Sequence, residues 1–147
     1  MLGQTLVEVE QGRAERWQSV AGVGLLALTG CRLSESGGLQ QVPGSVYVLP
    51  AARGGQGPFA SLDDALERIM SEAKLAGASA HPLRHSFAST AGDLGYSDST
   101  IGAMLGHAGH GVTARSIHHL DAVLIAAADR VALQIAGAMS VVEKADP

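Results

Sequence analysis

Apolar residues along this chain recur mostly at three- and four-residue steps, the period of a helix with one buried face. Residues 13–28 place Trp17, Val20, Val23 (or Gly24) and Ala27 at that spacing, until Thr29 and Gly30 interrupt it. A second, short helix is expected to begin over 32–35. Residues 36–43 are rich in Gly and Gln and read as loop. Only 46–49, V-Y-V-L closed by Pro50, has the composition of a strand. Another loop over 51–60 sets Gly54, Gly55, Gly57 and Pro58 around Arg53.

Four further helices follow from the same period. Ser61 and Asp64 have capping-box spacing ahead of the stripe Leu62, Leu66, Ile69 and Ala73, which ends by Gly77. Pro82 suits the first position of the next helix, with Leu83, Phe87, Ala91 and Leu94 inward and Gly95 as its stop. Residues 97–105 predict a short helix that buries Ile101, Met104 and Leu105 and stops at Gly106. Residues 121–139 predict a long amphipathic helix with Leu124, Ala128, Val131, Ile135 and Met139 on its inner face. There is no internal repeat. The fold class that follows is mainly α with a small residual β element.

Length and composition narrow this further. A chain of 147 residues, 46% hydrophobic, can bury one core, so one domain is expected over 1–140, with a flexible tail over 141–147. Aromatics are only 3%, and the apolar content is mostly Ala, Leu and Val, which favours closely packed helices. The single cysteine, Cys31, has no internal disulfide partner, which fits a reducing cytoplasm. The first residues lack both a basic start and an apolar stretch of signal type. The longest apolar run, 20–28, is too short to span a bilayer, so a cytoplasmic location without membrane attachment is expected. Net charge is -4, which argues against a generic nucleic-acid binder. Glu8, Glu10, Glu15, Asp63, Asp64, Glu67 and Glu72 all precede His81, in helical stretches or their caps. Any DNA-facing surface must therefore be local and modest.

The candidate chemistry is concentrated. Residues 81–119 hold all six histidines together with Arg84 and Arg115. His81 and Arg84 share one face at a helix start, where free backbone N–H groups add partial positive charge. An arginine fork beside an imidazole can hold two phosphate oxygens and exchange a proton with a third. His107 sits just after the helix-ending Gly106, and Arg32 just after Gly30. Two arginines and two histidines converging on one phosphate would stabilise a pentacoordinate transition state mainly by electrostatics. Arg115 and Arg53 are candidate contacts to a DNA backbone, and His85 a supporting residue. His107, His110, His118 and His119 lack the carboxylates and spacing of a zinc motif, so neither a metal nor a cofactor is expected.

Three motifs, T-G-C-R-L-S-E (29–35), H-P-L-R-H-S-F-A-S (81–89) and L-G-H-A-G-H-G-V-T (105–113), precede the closing helix. Together and in this order they resemble the catalytic domain of the tyrosine recombinases, the phage-integrase family, over about residues 18–137. The resemblance implies that family's catalytic-domain fold, double-stranded DNA as partner, and DNA integration or site-specific recombination. In that family two arginines, a lysine, two histidines and a tyrosine cut DNA through a covalent phosphotyrosyl link, without metal or ATP. By motif, Arg32 would be the first arginine, His81 and Arg84 the H-x-x-R pair, and His107 the L-G-H histidine.

The chain also departs from the pattern. Ser116 stands at the position of the nucleophilic tyrosine, with His118 matching the histidine that follows it, and neither Tyr47 nor Tyr96 fits. An aliphatic hydroxyl is a far weaker acid than a phenol, and serine is shorter by a whole ring. The family's lysine-bearing hairpin between the two arginine motifs has no counterpart, since the only lysine between Arg32 and His81 is Lys74. The N-terminal domain that completes the family's clamp around DNA is not expected here either. The resulting expectation is a DNA-binding, integrase-like domain impaired in strand cleavage. The alternative is a non-enzymatic module that associates with full-length recombinases through the helix at 121–139; as partners, a homo-oligomer and a full-length recombinase are both open.

Overall fold

The computed structural model describes residues 2–36, 39, 47–51, 57–75, 77, 79–106 and 117–140, the backbone alone over 117–121. It is mainly helical. In chain order the described helices are α1 (Leu2–Gln11), α2 (Trp17–Thr29), α3 (Leu33–Ser36), α4 (Leu62–Glu72), α5 (Ala80–Asp93), α6 (Asp98–Met104) and α7 (Ile117–Ser140).

Helix α2 is the hub, packing against α1, α3, α4, α5 and α7. Its buried positions, Gln18, Ser19, Gly22, Val23, Leu26 and Ala27, form one broad face. Trp17, expected on that stripe, lies on the opposite side of the helix and is 56% exposed. The helix also begins later than the period implies. Arg13, with φ 52°, turns the chain out of α1, so the segment from residue 13 forms the corner between two helices. Gly22 is where α4 comes closest, because any Cβ there would run into the Leu62 side chain.

Two apolar clusters make up the core. One joins α1, α2 and α4 with the segment around Leu49 and Phe59, and includes Val23, Leu26, Leu66, Ile69 and Met70. The other joins α5, α7 and the end of α6 through Phe87, Ala91, Leu105 and Val131. Fully burying a side chain such as Leu26 or Phe87 contributes about 1.5–3 kcal/mol. Glu15, before α2, is tied to Arg68 of α4 by contacts of 2.6 and 3.1 Å. The Arg68 guanidinium holds the Glu15 carboxyl below its usual range, against a smaller upward push from burial.

Among the described residues the expected strand does not form. Val46 lies outside the described residues, and what remains is an isolated antiparallel bridge between Pro50 and Pro58. Hydrogen bonds from the Phe59 N–H to the Leu49 carbonyl (2.8 Å) and from the Ala51 N–H to the Gly57 carbonyl (2.9 Å) close the loop. Proline has no N–H to give, so prolines at both bridge positions cannot propagate a ladder.

Most helix ends fall where the turn residues put them, with some corrections at the caps. Ser61 precedes α4 but makes no side-chain cap bond, so the capping box with Asp64 is not closed. Pro82 is the third residue of α5 rather than the first, because Ser79 is the N-cap. Ser97 does cap α6, accepting from the Thr100 N–H at 3.3 Å. The inner face of α7 is the expected one, with Val131 fully buried. The tail 141–147 lies outside the described residues. One stretch, Ala122–Ser140, is long and apolar enough to cross a membrane by length and composition, a feature the run at 20–28 did not reveal.

Candidate anion site at the meeting of three motifs

Arg84, in the first turns of α5, is the centre of the arrangement. It is buried, at 9% exposure, and donates from Nη1 to the Gly30 carbonyl and from Nη2 to the Leu105 carbonyl, each at 2.6 Å. Gly30 caps α2 and Leu105 caps α6. A helix C-terminus carries partial negative charge on carbonyls without intrahelical partners. One guanidinium therefore clasps two such ends. Gly30 stands two residues before Arg32, and Leu105 two residues before His107. Arg84 thus draws together the end of α2, two residues before Arg32, and the end of α6.

Gly30 makes this junction possible. Its φ of 63° is left-handed, and a Cβ on it would lie 2.9 Å from both Leu105 Cδ2 and Phe87 Cγ. Only glycine gives the required turn and lets α2, α5 and the end of α6 meet there.

Arg32 is close to this junction but turned to a neighbour. Its backbone N–H and its Nη1 both donate to the Glu35 carboxylate, at 2.7 Å each, and its side chain is 50% exposed. The Arg32 backbone N–H is the main cause that holds the Glu35 carboxyl below its ordinary range. Burial pushes the other way, the Arg32 side chain adds to the lowering, and the charge of Arg84 reaches the same carboxylate. Arg32 and Arg84 thus sit within the electrostatic reach of one acid.

His81 and His85 lie one turn apart on α5, both exposed, with Nε2 atoms 2.8 Å apart and rings perpendicular at 4.3 Å between centroids. A hydrogen bond between two imidazole nitrogens needs one as donor and one as acceptor, so at least one ring is neutral. Both rings border a cleft of about 300 Å³ that is also lined by Arg84, Ala88, Asp98 and Ile101. Chemically, this is a fixed cation at the floor of a cleft, a proton-exchanging imidazole at its rim, and a second arginine latched to a carboxylate near by.

Of the residues singled out by motif, Arg84 and His81 line one cleft, with Arg32 on the adjoining turn. His107, Ser116, Arg115 and Arg53 lie outside the described residues, as do His110 and the side chains of His118 and His119. Among the described residues no three His, Cys, Asp or Glu side chains gather as a metal would require. Sequence reasoning missed two participants. Glu35 is signalled by its three-residue spacing from Arg32, which suits a helical ion pair. Asp98 gives no such signal, because only the packing of α6 on α5 brings it to the cleft.

Comparison of the chain with protein-family models, with curated proteins and with solved structures gave no match.

Proposed function

We propose that this chain is a DNA-binding domain of tyrosine-recombinase type that grips a backbone phosphate with Arg32, Arg84, His81 and His107 and is impaired in strand cleavage. The observation that carries this reading is the pair of bonds from Arg84 to the Gly30 and Leu105 carbonyls. It supports the reading because residues of three motifs far apart in sequence meet at one guanidinium.

The chemistry that follows is electrostatic. A guanidinium held on two carbonyls is already oriented and needs little rearrangement when an anion arrives. His81 at the rim can give or take a proton at a phosphate oxygen. The Glu35 carboxylate already holds Arg32 Nη1 and competes with phosphate for the guanidinium, which weakens binding at neutral pH. Ser116 in place of a phenol leaves no comparable nucleophile, so the proposed outcome is binding without efficient cutting. On this reading the partner is double-stranded DNA in a reducing compartment, and the reaction class is a recombinase's strand transfer, diminished or lost.

Two measurements test it. Fluorescence anisotropy with a labelled duplex is expected to show weak binding whose logarithm falls linearly with the logarithm of salt concentration. Arg32→Ala and His81→Ala should each weaken it. Salt-independent binding, or binding indifferent to both substitutions, would overturn the assignment. On a nicked suicide substrate no covalent adduct is expected. A stable adduct that disappears in Ser116→Ala would show that serine does act as the nucleophile.

A further inference from the structure

His81 and His85 are placed as a chelating pair. At four residues apart on α5 their side chains leave the same face of the helix, and both are exposed. The helix beneath them is anchored by Phe87 and Ala91, which are buried in the core. Their Nε2 atoms stand 2.8 Å apart with the rings perpendicular. Two imidazole–metal bonds of about 2.0–2.1 Å that meet at a right angle set their nitrogens about 2.9 Å apart, whereas the tetrahedral angle needs about 3.3 Å. The observed spacing therefore matches two neighbouring positions of a tetragonal or octahedral shell. As a hydrogen bond, the contact uses one N–H and one lone pair. When the donor ring takes its Nδ1–H tautomer, both Nε2 lone pairs become available to one ion, with no change in charge.

We propose that His81 and His85 form a reversible site for a divalent transition-metal ion of the nickel–copper type, which keeps water at its remaining positions. Imidazole suits these ions, and a near-right angle favours them over tetrahedral zinc. Magnesium and calcium are not candidates, because they take oxygen ligands. Among the described residues no third His, Cys, Asp or Glu joins the pair, so the ion is exchangeable rather than resident. The surrounding charge is mixed. Asp98 lines the same cleft and adds a carboxylate that favours a cation. Arg84 also lines it and opposes one, although its Nη1 and Nη2 are engaged by the Gly30 and Leu105 carbonyls. The start of α5 adds partial positive charge as well. These terms make the site a weak one, and it does not depend on the proposed DNA chemistry.

Equilibrium dialysis of the full 147-residue chain against Ni²⁺ at neutral pH, in a buffer that does not chelate, tests it. His81→Asn and His85→Asn should each weaken Ni²⁺ binding by about tenfold or more, because each converts a two-point attachment into a single one. Both positions are exposed, so helix content by circular dichroism should be unchanged. A swap tests the geometry at constant histidine number. His85→Ser with Ser86→His turns the second imidazole about 140° round the helix from the first, and binding should fall as in the single substitutions. Failure of the wild-type chain to bind Ni²⁺ overturns the proposal. Undiminished binding in either substitution, or in the swap, assigns the ion to other histidines of the chain and equally overturns it.

Discussion

Replacing Arg84 by methionine isolates what the buried guanidinium does for the fold. Methionine keeps much of the apolar stem but leaves the Gly30 and Leu105 carbonyls, both on buried residues, without the donors that now reach them at 2.6 Å. A hydrogen bond to a charged group contributes about 1.5–3 kcal/mol, and a buried acceptor left unmade costs a similar amount. Because the two bonds share one group, the combined loss is set at roughly 3–5 kcal/mol rather than the full sum. That is a large part of the about 5–15 kcal/mol that holds a domain folded. At about 2–4 °C per kcal/mol for a chain of this size, the midpoint should fall by roughly 6–20 °C. Urea unfolding followed by circular dichroism measures it. Arg84→Lys, whose ammonium can reach one carbonyl well but not both, should fall between wild type and Arg84→Met. If Arg84→Met loses less than about 1 kcal/mol, water satisfies both carbonyls and the clasp is not structural.

Further outcomes follow from the same junction. Gly30→Ala forces a Cβ into a left-handed turn and against Phe87 and Leu105, so a loss of roughly 2–4 kcal/mol in urea unfolding is expected. Glu35→Gln loosens the latch on Arg32 and should tighten duplex binding by up to about fivefold in anisotropy, the scale of an exposed ion pair. The pH dependence has a definite sign: the folded Glu35 carboxyl sits below its ordinary range, so the latch is intact above the unfolded value and is lost as pH falls through the folded one. The Glu35→Gln gain should therefore be constant around neutrality and vanish only in acid below the normal glutamate range. Ser116→Tyr should form at most a trace of covalent adduct on a suicide substrate, because the sequence supplies no hairpin lysine to assist the leaving oxygen.

Helix boundaries were legible in the sequence because local chemistry sets them. Gly30, Gly95 and Gly106 all turn out left-handed, at the stops where the apolar period breaks. The stripes of α4, α5 and α7 were equally readable, since Leu66, Phe87 and Val131 are buried where the period puts them. The α2 stripe misled at Trp17, because a helix with neighbours on several sides buries a broad face whose centre the period alone does not fix. The strand failed for a related reason. A strand exists only through its partner, and the segment opposite offers Pro58. Within the site, H-x-x-R and the motif glycines could be found by spacing, but not the burial of Arg84. Nothing local announces that the ends of α2 and α6 will converge on the start of α5. The latch between Arg32 and Glu35 was legible in the three-residue spacing of an ion pair on a helix start.

The burial of Arg84 decides which substitutions can speak about function. On the proposed reading, removing a side chain that holds two helix ends would weaken DNA binding through the fold as well as through the lost charge. A binding defect in Arg84→Met therefore carries no message about phosphate until stability is matched. Arg32 and His81 are different. One is half exposed on a single carboxylate and the other stands at the rim of the cleft, so neither supports the core. Truncating either should leave the urea midpoint within about 0.5 kcal/mol of wild type, as exposed positions normally do. A loss of duplex affinity in those two variants at unchanged stability would isolate the anion chemistry from the architecture that aims it. Unchanged affinity in both would leave Arg84 as a clasp between helices and nothing more.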